Sequence, residues 1–152
     1  MQNKEFNEVI DFAIGREKEA VAFYQDLQNL VSFEARKDLL HELEEMEKGH
    51  IAVLEKIRTN AVQMDISDIP KVDNLKISDY LVEVKPTADM SYQDIIIAAM
   101  KREEKSNQLY IDLANLSAEG ETKQLFLRIA AEEAKHKLHF EKIYDEEILT
   151  DN

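Results

Sequence analysis

Cysteine is absent from the sequence. That removes disulfides, thiolate nucleophiles, iron–sulfur clusters and any zinc or iron site built on sulfur. Glycine occurs 3 times and proline 2 times, too sparingly for a loop-rich or all-β fold, which needs both at its turns. No apolar run approaches the roughly 18 residues at which a spanning helix becomes a candidate. The opening residues, Met1-Gln2-Asn3-Lys4-Glu5, do not form the apolar segment of a secretory signal, so a cytoplasmic protein with no membrane association is expected. Basic residues are the minority charge, 19 against 32 acidic, for a net charge of −13. Such a surface repels a phosphate backbone, and no nucleic-acid partner is expected.

The 152 residues are 44% hydrophobic and 34% charged, a composition suited to one soluble domain with a real core. Apolar positions recur at helical spacing in four stretches: 4–31, Ala35–Arg58, Tyr92–Leu116 and Thr122–Leu149. Both prolines, Pro70 and Pro86, fall between Asn60 and Met90, together with the turn formers Asp65, Ser67, Asp68, Asp73 and Asn74. That segment reads as a connector with a helical turn near Ile77–Val82, and Asp89 or Ser91 suits the N-cap of the third helix. The links at Val31–Glu34 and Ser117–Glu121, the latter turning on Gly120, are short, and short links make antiparallel neighbours. The expected architecture is all-α, a four-helix bundle forming a single domain over 1–152. It comprises a helical hairpin at 4–58, a long crossover connector at 59–91 and a second helical hairpin at 92–149.

The two hairpins repeat each other. A shift of about 86 residues places Arg16 on Arg102, Glu17 on Glu103, Tyr24 on Tyr110 and Leu27 on Leu113. Without a gap it also places Leu39 on Leu125, Glu47 on Glu133, His50 on His136 and Ile57 on Ile143. Leucines coincide by chance in any pair of helices. Two of the 4 histidines, each three residues after a matched glutamate, do so far less readily.

Spacing also separates the acids. The apolar stripe of the first helix steps through Phe6, Val9 or Ile10, Ala13, Glu17, Ala20, Tyr24, Leu27 and Val31. The second carries Leu40, Leu43, Glu47, His50, Leu54 and Ile57; the third Ile96, Ala99, Glu103, Ser106, Tyr110 and Leu113. The fourth carries Phe126, Ile129, Glu133, His136, Phe140 and Ile143. Every stripe holds ionisable groups at its middle. At about 1.5 Å rise per residue, Glu17 and Glu47 both lie about 20 Å from the first turn, and Glu103 and Glu133 bracket the Gly120 turn similarly. Four glutamates and two histidines therefore converge at one level inside the bundle.

Four carboxylates in an apolar interior repel one another and are poorly solvated, so they do not stay ionised alone. Two divalent cations would balance them, with neutral imidazoles completing the shell. Oxygen and imidazole donors without sulfur suit iron or manganese. A metal-free bundle with an internal polar network, serving as a helical interaction module, is the bland alternative. Single Glu-x-x-His pairs are common as surface charge, whereas four stripes meeting at one level are not. Tyr24 and Tyr110, seven residues after Glu17 and Glu103, are placed to hydrogen-bond the carboxylates, though packing alone explains them as well. His41 and His139 fall off the pattern. Gly49 either eases packing beside His50 or is a tolerated defect, and the runs Glu42-x-Glu44-Glu45 and Asp145-Glu146-Glu147 read as solvated faces.

Glu17 and Tyr24, Glu47-x-x-His50, Glu103 and Tyr110, and Glu133-x-x-His136 together resemble the ferritin-like di-iron carboxylate proteins. Size and hairpin sequences look most like the rubrerythrin group. The resemblance implies a ferritin-like bundle whose metal ligands are Glu17, Glu47, His50, Glu103, Glu133 and His136. By that resemblance Glu47 and Glu133 bridge two iron ions, Glu17 and Glu103 are terminal, and each histidine completes one shell. It implies a non-haem oxidoreductase that reduces peroxide or O₂, with ferroxidase and iron-storage activity as the alternative, and a homodimer. No haem is expected, and the chain ends soon after the fourth helix, without the fifth helix of cage-forming relatives, which counts against a bacterioferritin-like reading. Rubrerythrins proper add a rubredoxin domain with a four-cysteine iron site, so here a separate electron-donor protein is implied. Ser106 stands where that group has a further glutamate.

Overall fold

The computed structural model describes residues 2–61, 69–73, 75–81 and 89–149, and the chain is carried by four helices. Helix α1 spans Gln2–Gln28, α2 Lys37–Ala61, α3 Tyr92–Leu116 and α4 Glu121–Ile143. Helix α1 packs along α2 and α3 along α4, giving two hairpins with a long connection between them. Of the expected connector residues, Asp65, Ser67, Asp68, Asn74, Val82 and Pro86 lie outside the described residues.

Local chemistry sets the ends of the helices. Ser91 is the N-cap of α3, its Oγ accepting the Asp94 N–H at 3.1 Å. Gly120, at φ 150° and ψ −167°, adopts a backbone region essentially closed to residues with a Cβ, which lets the chain reverse between α3 and α4.

The first link is more structured than a loop. Helix α1 stops at Gln28, Leu30 N–H donates to Leu27 O at 3.1 Å, and a 3₁₀ helix follows over Val31–Arg36. Val31 is therefore not on the buried stripe but 87% exposed. Once the α-helical rotation ends, the fourth residue after Leu27 no longer faces inward. Phe33 takes the core position, with its ring centroid 4.8 Å from that of Tyr92.

Helix α4 stops at Ile143, short of the expected Leu149, and passes into a wider π-helical segment over Tyr144–Leu149. Ile148 in that segment is buried. Glu147 accepts a hydrogen bond from Tyr92 Oη at 2.5 Å and another from Arg36, so it is not simply solvated as its acidic neighbours suggested. The Tyr92 hydrogen bond, with Arg36, holds its carboxyl below the usual range against the opposing effect of burial. In the connector, a 3₁₀ turn at Ile77–Tyr80 buries Tyr80, whose Oη donates to Asp112 at 2.6 Å.

The core is split in two. One apolar cluster joins Phe6, Ile10, Leu54, Leu113, Phe126 and Ile129 with Ile69, Val72 and Tyr80 of the connector. The other joins Leu27, Phe33, Leu40, Leu43, Ile96 and Phe140. In all four helices, the residues between these clusters are the ionisable ones of the stripes. Among the described residues, no helix is long and apolar enough to cross a membrane.

Candidate metal centre

Glu17, Glu47, Glu103, Glu133, His50 and His136 form the layer between the two clusters, each no more than 3% exposed. Their burial follows from helical spacing alone. Each sits three or four residues from apolar neighbours on both sides, so the turns that bury those neighbours bury it too.

The six divide into two overlapping groups, Glu17–Glu47–His50–Glu133 and Glu47–Glu103–Glu133–His136. Within each group the donor atoms lie within 4.8 Å of one another. His50 Nδ1 stands 3.4 Å from Glu17 Oε2, 3.3 Å from Glu47 Oε1 and 3.1 Å from Glu133 Oε1. His136 Nδ1 stands 3.2 Å from the same Glu47 Oε1, 3.5 Å from Glu103 Oε2 and 3.5 Å from Glu133 Oε1. Glu47 and Glu133 thus face both imidazoles, whose ring centroids are 6.2 Å apart, while Glu17 and Glu103 each face one.

Several of these atoms make no well-formed hydrogen bond: Glu17 Oε2, Glu47 Oε1, Glu103 Oε2, both oxygens of Glu133, and Nδ1 of both histidines. Buried polar atoms left this way cost about 1–3 kcal/mol each. Converging carboxylate oxygens and imidazole nitrogens, with no sulfur, are the donor set of a hard or borderline divalent cation, so the residues present fit two such ions.

Electrostatics leads to the same place. Burial drives the Glu17 carboxyl up to about 8, reinforced by Glu47 and opposed by His50. Burial, then the charges of Glu103, Glu17 and Glu47, push Glu133 well above the carboxylate range. Burial also raises Glu47, but its contacts with His136 and His50 outweigh this and hold it low. For the imidazoles burial works downward and loses to the carboxylates. Glu17 and Glu47 bring His50 up to about 11, and Glu103 and Glu47 bring His136 up to about 10. Protons thus provide the positive charge that two cations would otherwise bring.

The tyrosines act across the hairpins. Tyr24 of α1 donates to Glu103 Oε1 of α3, and Tyr110 of α3 donates to Glu17 Oε1 of α1 at 2.8 Å. Burial, then neighbouring carboxylates, raise both phenols well above their ordinary value, so they remain donors. Tyr24 is stacked on Phe140 and Tyr110 on Phe126.

Polar residues outside the cluster meet a range of surroundings. Ser106 is half-buried and Glu104 is exposed, 3.8 Å from Lys137 Nζ. His41 and His139 are exposed. Glu44 is not on a solvated face. It is 6% exposed and accepts from Gln28 at 2.8 Å and Gln25 at 3.1 Å, with Lys48 Nζ at 2.8 Å. Lys48 and Gln28 hold its carboxyl down at about 2. The stripe of α2 alone does not reveal this, because the two glutamines come from α1. Gly49 eases no packing, since a Cβ there would meet nothing within 4 Å.

One site residue escapes the stripe analysis. Glu132 Oε2 lies 2.5 Å from His50 Nε2, on the side of the ring away from the cluster. Its counterpart under the repeat is Met46, so matching the two halves passes over it. An acid directly before a stripe glutamate on α4, the helix beside α2, was the only signal.

No family model, curated protein or solved structure matches the chain significantly. Fold and site define it by class as a four-helix bundle enclosing a buried carboxylate–histidine cluster that resembles a dinuclear metal site.

Proposed function

We propose that the chain is a non-haem di-iron oxidoreductase of rubrerythrin type, which reduces peroxide or O₂ with electrons from a separate donor protein. The observation carrying this reading is the pair of four-donor groups that share Glu47 and Glu133. Two iron ions, or manganese in their place, would be held by Glu17, Glu47, His50, Glu103, Glu133 and His136 and would supply electrons and Lewis acidity for breaking an O–O bond. For peroxide the balance is two electrons and two protons in, two water molecules out.

The chain's own residues fix the geometry. Glu47 and Glu133 face both positions, and Glu17 with His50 and Glu103 with His136 close the two ends. Tyr110 and Tyr24 orient the terminal carboxylates through their phenol donors, each from the opposite hairpin. The apolar clusters on both sides exclude bulk water and keep these contacts strong.

Metal analysis of protein purified without chelator comes first. About two iron or manganese ions per chain is the expected result, following the ligand count. No binding even after anaerobic Fe²⁺ addition would leave the metal-free interaction module. Stopped-flow oxidation of the ferrous protein then compares oxidants, and a reaction no faster with peroxide than with O₂ counts against the peroxidase version. Ser106, where a further carboxylate is missing, favours a second reading in which the centre oxidises Fe²⁺ and passes it on. Gel filtration after iron loading separates the two readings. A homodimer that turns over reductant and stores no mineral supports the first, and a large assembly rich in iron supports the second.

A further inference from the structure

The internal repeat makes the two halves of the cluster nearly equivalent, so a feature present in only one half is informative. His50 and His136 both aim Nδ1 at the shared carboxylates. Their outer nitrogens differ. His50 Nε2 lies 2.5 Å from Glu132 Oε2, and Glu132 is backed by Arg128 Nε at 3.3 Å. Among the described residues, buried His136 Nε2 has no hydrogen-bond partner. The position on α2 that would supply one under the repeat, 86 residues before Glu132, holds Met46, whose thioether carries no charge.

A carboxylate behind a ligating imidazole keeps its N–H on the outer nitrogen, leaves the inner lone pair facing the metal, and increases ligand basicity. Such partners are worth about 10–100-fold in metal affinity. His50 therefore enters the cluster oriented and polarised. Among the described residues, none hydrogen-bonds the outer nitrogen of His136 to fix which nitrogen carries its proton, and a buried N–H left unpaired stays unpaired when metal binds.

We propose that the two metal positions are unequal, and that the one bounded by Glu17, Glu47, His50 and Glu133 fills first because Glu132 acts on it as a positioning residue through His50. The proposal rests on the dinuclear reading above and goes beyond it by ordering the two ions. Loading would then be stepwise: an ion on the His50 side would be held first and would neutralise the shared glutamates, and the one beside His136 would be weaker and more exchangeable.

The test is titration of the full metal-free chain with Mn²⁺, followed by calorimetry and by electron paramagnetic resonance, which distinguishes isolated from paired ions. Wild type is expected to bind in two steps separated by about 10–100-fold, with isolated Mn²⁺ dominating at one equivalent. Glu132→Leu should weaken the first step by a similar factor, bring the steps together and raise the paired share at one equivalent. Met46→Glu, which supplies the missing carboxylate behind His136, should tighten the second step, an outcome that misfolding does not produce. Two equal steps in wild type, or a gap unchanged by both substitutions, overturn the ordering while leaving a dinuclear centre. No Mn²⁺ or Fe²⁺ binding at all overturns the dinuclear reading and the ordering with it.

Discussion

Glu44 and Glu47 are one turn apart on α2, equally acidic and both buried, yet their surroundings give them different work. Glu44 ends among Gln25, Gln28 and Lys48, each with a hydrogen to donate. Glu47 ends among other acids and two imidazoles. Glu47→Ala should abolish binding of both ions, because its Oε1 faces both histidines. Glu44→Ala should keep the full metal content and cost about 1 kcal/mol of stability, the worth of an ordinary hydrogen-bonded group. Metal stoichiometry and a denaturant curve on each variant check this, and metal loss from Glu44→Ala would refute the division. Gly49, between Lys48 and His50, gives a second contrast. It sits in the helix interior with open space around its Cα, so Gly49→Ala should stabilise by about 1 kcal/mol. At this chain length that raises Tm by about 2–4 °C. Thermal melts measure it, and a fall in Tm would show that the glycine has a packing role after all.

Among the elements, what could be read from the chain depended on whether one helix sufficed. The stripes of α2 and α4 were fully legible, since Leu43, Glu47, His50 and Leu54 repeat in step with Ile129, Glu133, His136 and Phe140, and all of them are buried. Features requiring two elements were not. Val31 looked like a continuation of α1 until the 3₁₀ link turned it out and Phe33 in. Glu132 had no sequence partner, because the repeat puts Met46 opposite it. The π-helical end of α4 has no signature in hydrophobic period, and its anchoring depends on residues far away in the chain: Arg36 from the first link and Tyr92 from the start of α3. This latch is testable. Glu147→Ala removes the common acceptor, so amides of residues 144–149 should exchange faster while those at the middle of α4 keep their protection. The expected cost in global stability is about 1 kcal/mol. Uniform loss of protection along α4 would show that Glu147 supports the whole helix rather than its end.

At the scale of the whole molecule, close backbone approach between the hairpins is concentrated at α2 and α4, while each hairpin is tightly packed within itself. The tyrosine–glutamate bonds and the polar layer join the halves at mid-height, between two apolar clusters that also span both hairpins, and that joint carries too many like charges unless protons or metal ions neutralise it. Stability should follow from which of the two is present. Glu17 holds its proton to about 8 in the fold, against an ordinary value of 4.5, and His50 and His136 hold theirs to about 11 and 10, against 6.5. All three bind more protons folded than unfolded between those limits, so each contributes stability at low pH that is lost as pH rises. For Glu17 the loss runs through 4.5 to about 8, and for the histidines it begins near 6.5. The metal-free protein should then melt at a lower temperature at pH 8 than at pH 6. Metal has the opposite dependence, because it must displace those same protons and binds more tightly as they leave. At 100 times Kd a ligand adds about 2.7 kcal/mol to stability, or about 5–10 °C for a domain of this size. Calorimetric melts at pH 6 and pH 8, with and without excess Mn²⁺, should show a metal-induced rise in Tm that is larger at pH 8. A rise independent of pH would mean that the buried acids are already ionised without metal, and that something other than protons holds the two hairpins together at their shared layer.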